Sequence, residues 1–107
     1  MSMYTPDRWV VLEFNGPSMS EPVHKVFAGW YGGFTSGESW KLNSGIVKTK
    51  RNGKRWDFEG YSGSLYRCHE QGYGMSGYMT NVLSTFRARL QDGTTIKILD
   101  LDEVVES

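Results

Sequence analysis

Residues 47–58 read VKTKRNGKRWDF, and the Asn52-Gly53 pair near the middle of this stretch is the clearest local signal in the sequence. Asn-Gly suits a type I′ turn, because both central residues of that turn need a positive φ angle. The stretch therefore predicts a β-hairpin closed by two residues. This closure pairs Arg51 with Lys54, Lys50 with Arg55, Thr49 with Trp56, Lys48 with Asp57, and Val47 with Phe58.

The predicted pairing gives the hairpin two chemically different faces, since residues opposite each other in a strand pair project to the same side. The face that we expect in the core consists of Val47, Thr49, Trp56 and Phe58. The face that we expect to meet solvent or a ligand consists of Lys48, Lys50, Arg55, Asp57 and Glu59.

Clustered basic side chains make this hairpin the segment most typical of a functional surface. Such cations bind the phosphate groups of nucleic acids, and aromatic side chains such as Trp40 or Tyr61 could stack on bases. The candidate contacts for nucleic acid or a protein partner are Lys48, Lys50, Arg51, Lys54 and Arg55. Two other interpretations stay open: a solvated hairpin that favours solubility, since Asp57 and Glu59 share its face, and a docking place for the acidic tail of another copy.

Glycine and aromatic residues alternate on both sides of the hairpin, from residue 27 to residue 78. Aromatic side chains bury a large area and favour pleated surfaces, whereas glycines permit tight turns and bulges. A chain of 107 residues has the length of one domain. We therefore expect residues 1–107 to form a mainly β, small single domain: a bent antiparallel sheet or a partly open β-barrel, with one short helix near residues 77–84.

The positions of the strands follow from hydrophobic alternation and from turn residues. Asn15-Gly16-Pro17 ends the first strand, and Asn43-Ser44-Gly45 should kink the third as a bulge would. The predicted strands cover residues 8–14, 23–31, 39–51 and 61–68.

The last third of the sequence carries a helix signal followed by a hairpin signal. Apolar residues at helical spacing follow Ser76, a candidate N-cap, so we place the helix at residues 77–84. Asp92-Gly93 predicts a second hairpin, with paired strands at residues 85–91 and 94–99. Residues 100–107 are acidic, and we expect them to form a partly ordered tail.

Charge and cysteine content restrict the class of protein. Twelve basic and twelve acidic residues cancel, so net charge gives no preference for nucleic acid or an anionic membrane. Cys68 is the only cysteine, which excludes an intramolecular disulfide. Neither a signal peptide nor an apolar run of membrane-spanning length is visible. We expect a cytoplasmic protein with no membrane contact.

A glycine-rich loop at residues 72–77 matches the G-x-G-x-x-G pattern of dinucleotide-binding proteins. That function requires a parallel βαβ unit, in which a helix N-terminus meets the pyrophosphate. Here the flanking segments are predicted hairpins, which are antiparallel. We therefore expect a strand-to-helix connection and no cofactor, and an enzyme or small-ligand site at this loop is the weakest of three hypotheses.

The remaining reactive side chains do not assemble into a recognisable catalytic or metal site. Residues 60–64, GYSGS, resemble the nucleophile loop of trypsin-like proteases, but Tyr61 stands where that motif carries aspartate, and no histidine is placed beside either serine. Cys68 and His69 point to opposite faces of a strand, and His24 completes no zinc spacing with them. We expect neither a metal ion nor enzymatic activity.

The aromatic content exceeds what a core of this size requires, with four tryptophans, six tyrosines and five phenylalanines. Some of these side chains are therefore expected on a surface that pairs with a partner. The candidate aromatic interface consists of Trp30, Tyr31, Phe34, Trp40 and Tyr73. The first hypothesis is a non-catalytic binding or assembly module that uses this surface for self-association or for a protein partner; the alternative is a small nucleic-acid-binding barrel that uses the basic hairpin.

Overall fold

The computed structural model describes residues 2–32, 37–91 and 93–107. These residues form a mainly β domain, as the sequence predicted, with two four-stranded sheets and one α-helix. The strands are β1 (Met3–Tyr4), β2 (Arg8–Asn15), β3 (Val23–Trp30), β4 (Ser39–Leu42), β5 (Ile46–Asn52), β6 (Arg55–Gly60), β7 (Leu65–His69) and β8 (Thr95–Ile98). The helix, α1, spans Gly77–Ala88, and single 3₁₀ turns lie at Glu70–Gly72 and Leu101–Glu103.

The strands divide into two open sheets. Sheet I has the order β1-β7-β6-β5, and sheet II has the order β4-β3-β2-β8. All pairings are antiparallel except that of β1 with β7. The described residues close no barrel. Of the two arrangements that the sequence predicted, the structure is consistent with the bent open sheet.

The main core lies between the two sheets. Its buried residues come from both of them and from the segment after β8: Trp9, Val11, Val26, Ala28, Trp56, Phe58, Tyr66, Cys68 and Leu99. The rings of Trp56 and Phe58 are stacked, with centroids 6.0 Å apart. Burying the aromatic rings of this cluster between the sheets removes a large apolar area from water.

A second cluster lies on the other side of sheet II, where α1 packs. Its buried members are Val10, Leu12, Phe27, Met79, Leu83 and Ile96. Sheet II is therefore covered on both faces, which explains why three consecutive residues of β2, Val10, Val11 and Leu12, are all buried. The layers follow the order sheet I, sheet II, helix.

The helix is longer than the sequence predicted. Ser76 is its N-cap as predicted, accepting a hydrogen bond from the Met79 N–H at 3.2 Å, but the helix continues to Ala88. The predicted strand at 85–91 was wrong. Phe86 continues the apolar stripe of Met79 and Leu83 at helical spacing and packs against Phe27, with ring centroids 5.5 Å apart.

The strand predicted at residues 94–99 forms at Thr95–Ile98, but its partner differs. It pairs antiparallel with β2, near the other end of the chain, placing Leu12 opposite Ile98. Because residues 85–88 are helical, the predicted hairpin partner does not exist. Asp92 of the predicted Asp92-Gly93 turn lies outside the described residues.

The hairpin at residues 46–60 forms, but its register was wrong. Asn52 pairs with Arg55, so the two turn residues are Gly53 and Lys54. Gly53 has φ +65°, and no described residue other than glycine has a positive φ. This pattern fits a type II′ turn, which needs a positive φ only at its first central residue. Lys50 consequently lies opposite Asp57 and not opposite Arg55.

Three of the four residues predicted for the core face of the hairpin are confirmed there. Thr49, Trp56 and Phe58 are buried. Val47 was predicted wrongly, since 56% of its surface is exposed. The register shifts between Ile46 and Lys48, as at a β-bulge, and the extra residue turns Val47 out of the core.

The segment at residues 39–51 contains two strands rather than one bent strand. β4 belongs to sheet II and β5 to sheet I, and Asn43-Ser44-Gly45 carries the chain from one sheet to the other. The Asn43 Oδ1 atom accepts a hydrogen bond from the Val26 N–H at 3.0 Å, which fixes the crossing point. The strand predicted at 61–68 begins only at Leu65, because residues 61–64 form the turn after β6.

The acidic C-terminal segment contacts both sheets. Leu101 and Val104 pack against the core between the sheets. The 3₁₀ turn Leu101–Glu103 has Asp100 as its N-cap, and the Asp100 N–H donates to the Glu103 carboxylate. Within the residues described, no helix has the length and apolar character needed to cross a membrane.

Candidate functional site

Trp40 lies on β4, one of the two edge strands of sheet II, and combines an accessible indole with extensive packing. Its ring centroid is 6.0 Å from that of Phe27 and 5.0 Å from that of Phe86. Phe27 is fully buried, whereas 39% of the Trp40 surface is exposed. Sheet and helix therefore hold the indole in one place and leave part of it open to solvent.

The outer edge of β4 offers backbone hydrogen-bonding groups that β3 does not use. The Asn43 N–H donates to the Val26 carbonyl at 3.0 Å, and hydrogen-bonded and non-hydrogen-bonded positions alternate along an antiparallel pair. The observed register therefore turns the N–H and C=O groups of Trp40 and Leu42 away from β3. No strand of the described chain pairs with this side of β4.

Side chains along β4 alternate between the two faces of sheet II. Trp40 and Leu42 face the helix layer, where Leu42 packs against the same cluster as Phe27. Lys41 faces the other way, and its Nζ atom lies 5.0 Å from the centroid of the Tyr4 ring. The edge thus has an apolar–basic–apolar pattern.

Three further residues of the predicted aromatic interface, Trp30, Tyr31 and Phe34, lie at the end of β3 or in the segment after it. Tyr31, directly after β3, is 51% exposed, and its N–H donates to the Asp7 carboxylate at 2.9 Å. Trp30 is half-buried; its ring packs edge-on against Tyr4, and its indole N–H donates to the Thr5 carbonyl at 3.0 Å. Phe34 lies outside the described residues.

The outer edge of β5, at the end of sheet I, is covered by the chain itself. The Thr49 N–H donates to the Ser107 Oγ atom at 2.9 Å, and the Ser107 N–H donates back to the Thr49 carbonyl at 3.1 Å. The Arg51 N–H donates to the Glu106 carboxylate at 3.0 Å. These contacts satisfy backbone N–H and C=O groups of β5 that could otherwise form hydrogen bonds with another chain.

The two remaining edges are protected in other ways. β1 has only two residues, and such short edge strands offer little to a partner. On β8, the Leu99 N–H donates to the Val11 carbonyl, so the alternation turns the Ile96 carbonyl outward. That carbonyl accepts a hydrogen bond from the Arg87 guanidinium at 2.9 Å. β4 thus differs from the other three edges of the described structure.

Tyr73, the fifth predicted interface residue, lies between the two clusters of the core. Its ring packs edge-on against Trp9, with centroids 4.7 Å apart. Its hydroxyl group accepts a hydrogen bond from the Val11 N–H and donates one to the Leu99 carbonyl. Tyr73 is therefore a structural residue in this fold, remote from the solvent-facing part of β4.

Acidic residues lie opposite two lysines of the basic hairpin, without forming ion pairs with them among the described residues. Lys50 lies opposite Asp57 and Lys48 opposite Glu59, and opposite charges at facing positions attract. Lys54, the third lysine among the five predicted contacts, is exposed at the turn of the hairpin.

The two arginines of the hairpin contact carboxylates directly. Arg51 donates to Glu70 at 2.7 Å, and its guanidinium lies 5.1 Å from the centroid of the Trp56 ring. Arg55 lies 3.7 Å from Asp57. Asp57 also accepts two hydrogen bonds from Arg67, whose pKa they raise. These arginines are structural ion-pair partners as well as candidate contacts.

The glycine-rich loop at 72–77 serves the packing of β2 and the start of α1. Gly74 forms an isolated bridge with Trp9, and a Cβ atom on Gly72 would lie 2.6 Å from the Asp7 carbonyl oxygen. The close approach of backbone to backbone is the reason for glycine here. Residues 72–77 line neither the groove beside Val23 and Val47 nor the cleft beside Arg51 and Leu101.

The reactive side chains are dispersed. Cys68 is fully buried, and burial, with a smaller contribution from Asp57, raises the pKa of its thiol. His24 lies at the surface, where its Nε2 atom is 2.9 Å from the Glu13 carboxylate. Among the described residues, no three His, Cys, Asp or Glu side chains are grouped so that they could hold a metal ion.

Sequence reasoning did not single out a groove beside the C-terminal segment. This groove, of about 310 Å³, lies between the ends of the two sheets. Three of its lining residues are exposed valines from different parts of the chain: Val23, Val47 and Val105. They are brought together only by the bulge in β5 and by the docking of the C-terminal segment, for which the sequence carries no local signal.

Comparisons with known proteins give no match: no protein-family model, no curated protein and no solved structure matches this chain significantly.

Proposed function

We propose that this protein is a non-catalytic binding module of the cell interior whose β4 edge accepts an extended segment of another protein or of a second copy. The observation that carries the proposal is the combination of an exposed Trp40 with outward backbone groups on the same strand. Addition of a strand to a sheet edge is a common mode of protein recognition, in which backbone hydrogen bonds supply affinity and side-chain pockets supply specificity.

The contrast between the edges of the two sheets supports this proposal. Open strand edges promote unwanted pairing, and proteins generally protect them. Here Glu106 and Ser107 cover β5, and Arg87 caps β8, whereas β4 carries a tryptophan that is 39% exposed. Tryptophan is enriched among the residues that dominate binding energy at interfaces.

The state of the reactive groups supports a non-catalytic role. A nucleophilic cysteine requires an accessible thiolate, and the Cys68 thiol is buried with a raised pKa. The His24 imidazole contacts the Glu13 carboxylate at the surface, and no hydrogen bond among the described residues joins it to Ser62 or Ser64.

The test compares the protein as bait with the variant Trp40→Ser, after chemical cross-linking in an extract of its own cells. Proteins that bind through β4 should be lost from the Trp40→Ser bait and retained by the matched variant Tyr61→Ser, because Tyr61 is 83% exposed in the turn after β6. Sedimentation of the purified protein tests the self-association form. An unchanged set of captured proteins and a monomer for all three proteins would contradict the proposal.

Nucleic-acid binding by the basic hairpin is the second candidate function. It is favoured by Lys48, Lys50 and Lys54, which are exposed and have no ion-pair partner among the described residues. Binding to DNA or RNA at about 50 mM salt, weakened by Lys50→Glu with Lys54→Glu, would support it. Absence of binding by the unmodified protein at that salt concentration would dismiss it.

A further inference from the structure

We propose that the segment recognised at β4 is an extended peptide with the pattern apolar–acidic–apolar, whose acidic side chain lies beside Lys41. The inference rests on the proposed function and specifies the partner's chemistry. It follows from the orientation of three consecutive residues, Trp40, Lys41 and Leu42, at an edge that no described strand covers.

Strand addition at β4 determines which partner side chains face which residues. The outward N–H and C=O groups of Trp40 and Leu42 would bond to the added strand. Side chains directly opposite in a strand pair project to the same face and interact. Partner residues opposite Trp40 and Leu42 therefore meet the apolar surface that these side chains share with Phe86, and apolar side chains are favoured there.

The middle position of the partner faces Lys41. The Lys41 side chain is exposed and lies over the Tyr4 ring, and the described residues provide no carboxylate to pair with it. A carboxylate at the opposing position would form a cross-strand charge pair. Such pairs change affinity by about two- to fivefold relative to a neutral residue.

A second copy of the chain fits this edge less well. If antiparallel pairing is centred on Lys41, the two Lys41 side chains of the two copies oppose each other, and like charges at facing positions repel. If pairing is centred on Trp40, Leu42 of one copy faces Glu38 of the other, which places a carboxylate against an apolar side chain. Charge complementarity therefore favours a different chain with an acidic central residue.

The experiment titrates short synthetic peptides into the isotope-labelled protein and follows the amide signals of Trp40 and Leu42 by NMR. One peptide has Val-Glu-Val at its centre, and the matched control has Val-Lys-Val with identical flanking threonines. We expect the acidic peptide to bind at least threefold more tightly than the basic one. The variant Lys41→Glu should reverse this preference, and Lys41 is exposed, so the fold should be retained.

Each outcome decides a separate point. Equal binding of both peptides, lost in Trp40→Ser, would overturn the acidic pattern and leave the proposed β4 site intact. Peptide binding that survives Trp40→Ser and does not shift the β4 amides would overturn both. Absence of binding by either peptide up to about 1 mM, or a dimer that Trp40→Ser dissociates, would overturn the inference, and the dimer would identify a second copy as the occupant.

Discussion

The hydroxyl group of Tyr73 donates a hydrogen bond to the backbone carbonyl of Leu99, joining the segment before α1 to the end of β8. The same hydroxyl accepts from the Val11 N–H at 3.2 Å, and the Leu99 N–H donates to the Val11 carbonyl at 3.0 Å. The phenol thus replaces the second direct bond that a regular antiparallel pair would make at this position. One side chain completes the backbone hydrogen bonding of sheet II.

Replacing Tyr73 by phenylalanine should destabilise the protein by about 1–3 kcal/mol, because the Val11 N–H and the Leu99 carbonyl lose their partner. The ring and its packing against Trp9 are kept. Urea unfolding measures the effect, and Tyr61→Phe, at an 83% exposed position, is the control with an expected change below about 0.5 kcal/mol. Equal unfolding midpoints for the two variants would show that the bridge contributes no stability.

Raising the pH should lower the free energy of unfolding. Burial raises the pKa of the Cys68 thiol and of the Tyr66 and Tyr73 phenols. The unfolded chain therefore releases these protons at a lower pH than the folded protein does, so stability is intact below the ordinary pKa values and falls above them. The loss begins near pH 8.5 for the cysteine and near pH 10 for the tyrosines.

The cysteine part of this pH dependence can be isolated. Between about pH 8.5 and 10, Cys68 should reduce the free energy of unfolding by up to about 1.4 kcal/mol for each pH unit. Cys68→Ala should be less stable at neutral pH and should lack this part of the slope. Identical slopes for the two proteins in urea titrations would contradict the burial of the thiol.

The observed hairpin turn predicts different effects on stability for substitutions at Asn52 and at Gly53. Gly53→Ala should cost about 1–2 kcal/mol, because Gly53 has φ +65° and a side chain disfavours that conformation. Asn52→Thr should be neutral or slightly stabilising, because Asn52 lies in the strand. In a type I′ turn Asn52 would need a positive φ, which threonine disfavours. A clear destabilisation by Asn52→Thr would therefore indicate a type I′ turn in place of the observed one. Thermal unfolding of Asn52→Thr distinguishes the two registers, whereas Gly53→Ala is destabilising in both because Gly53 needs a positive φ in either turn.

The contacts of Glu106 and Ser107 with β5 should be visible in amide hydrogen exchange. In a variant with both residues changed to alanine, the Thr49 and Arg51 amides lose their side-chain acceptors and should exchange up to about tenfold faster. The Leu42 amide, on the uncovered edge, should exchange fast in both proteins. Unchanged protection of Thr49 and Arg51 would mean that the C-terminal segment does not cover β5 in solution.

Local patterns in the sequence placed most of the elements but not their partners. The Asn52-Gly53 signal placed the hairpin, and Ser76 placed the start of the helix, because turns and caps depend on a few adjacent residues. The exposure of Val47 depended on the bulge beside it, and the pairing of β8 with β2 depended on residues far apart in sequence. Such choices are made by packing of the whole domain.

The residues of the candidate site were likewise identified from the sequence only in part. Composition singled out Trp40 and Tyr31 as surplus aromatics, and both are exposed. Lys41 and Leu42 were not singled out, because the edge position of β4 is a property of strand order, which no local pattern contains. Tyr73 has the same composition signal as Trp40 but lies between the two core clusters.

The pairing of β2 with β8 also constrains how the protein acquires its structure in time. The hairpins β2–β3 and β5–β6 join neighbouring segments and can form early, whereas Leu12 meets Ile98 only when the two ends of the described chain come together. Domains dominated by such distant pairings fold in about milliseconds to seconds. Until β8 pairs with β2, one edge of β2 is unpaired. The newly made chain therefore passes through a stage in which this apolar strand can pair with another chain and aggregate.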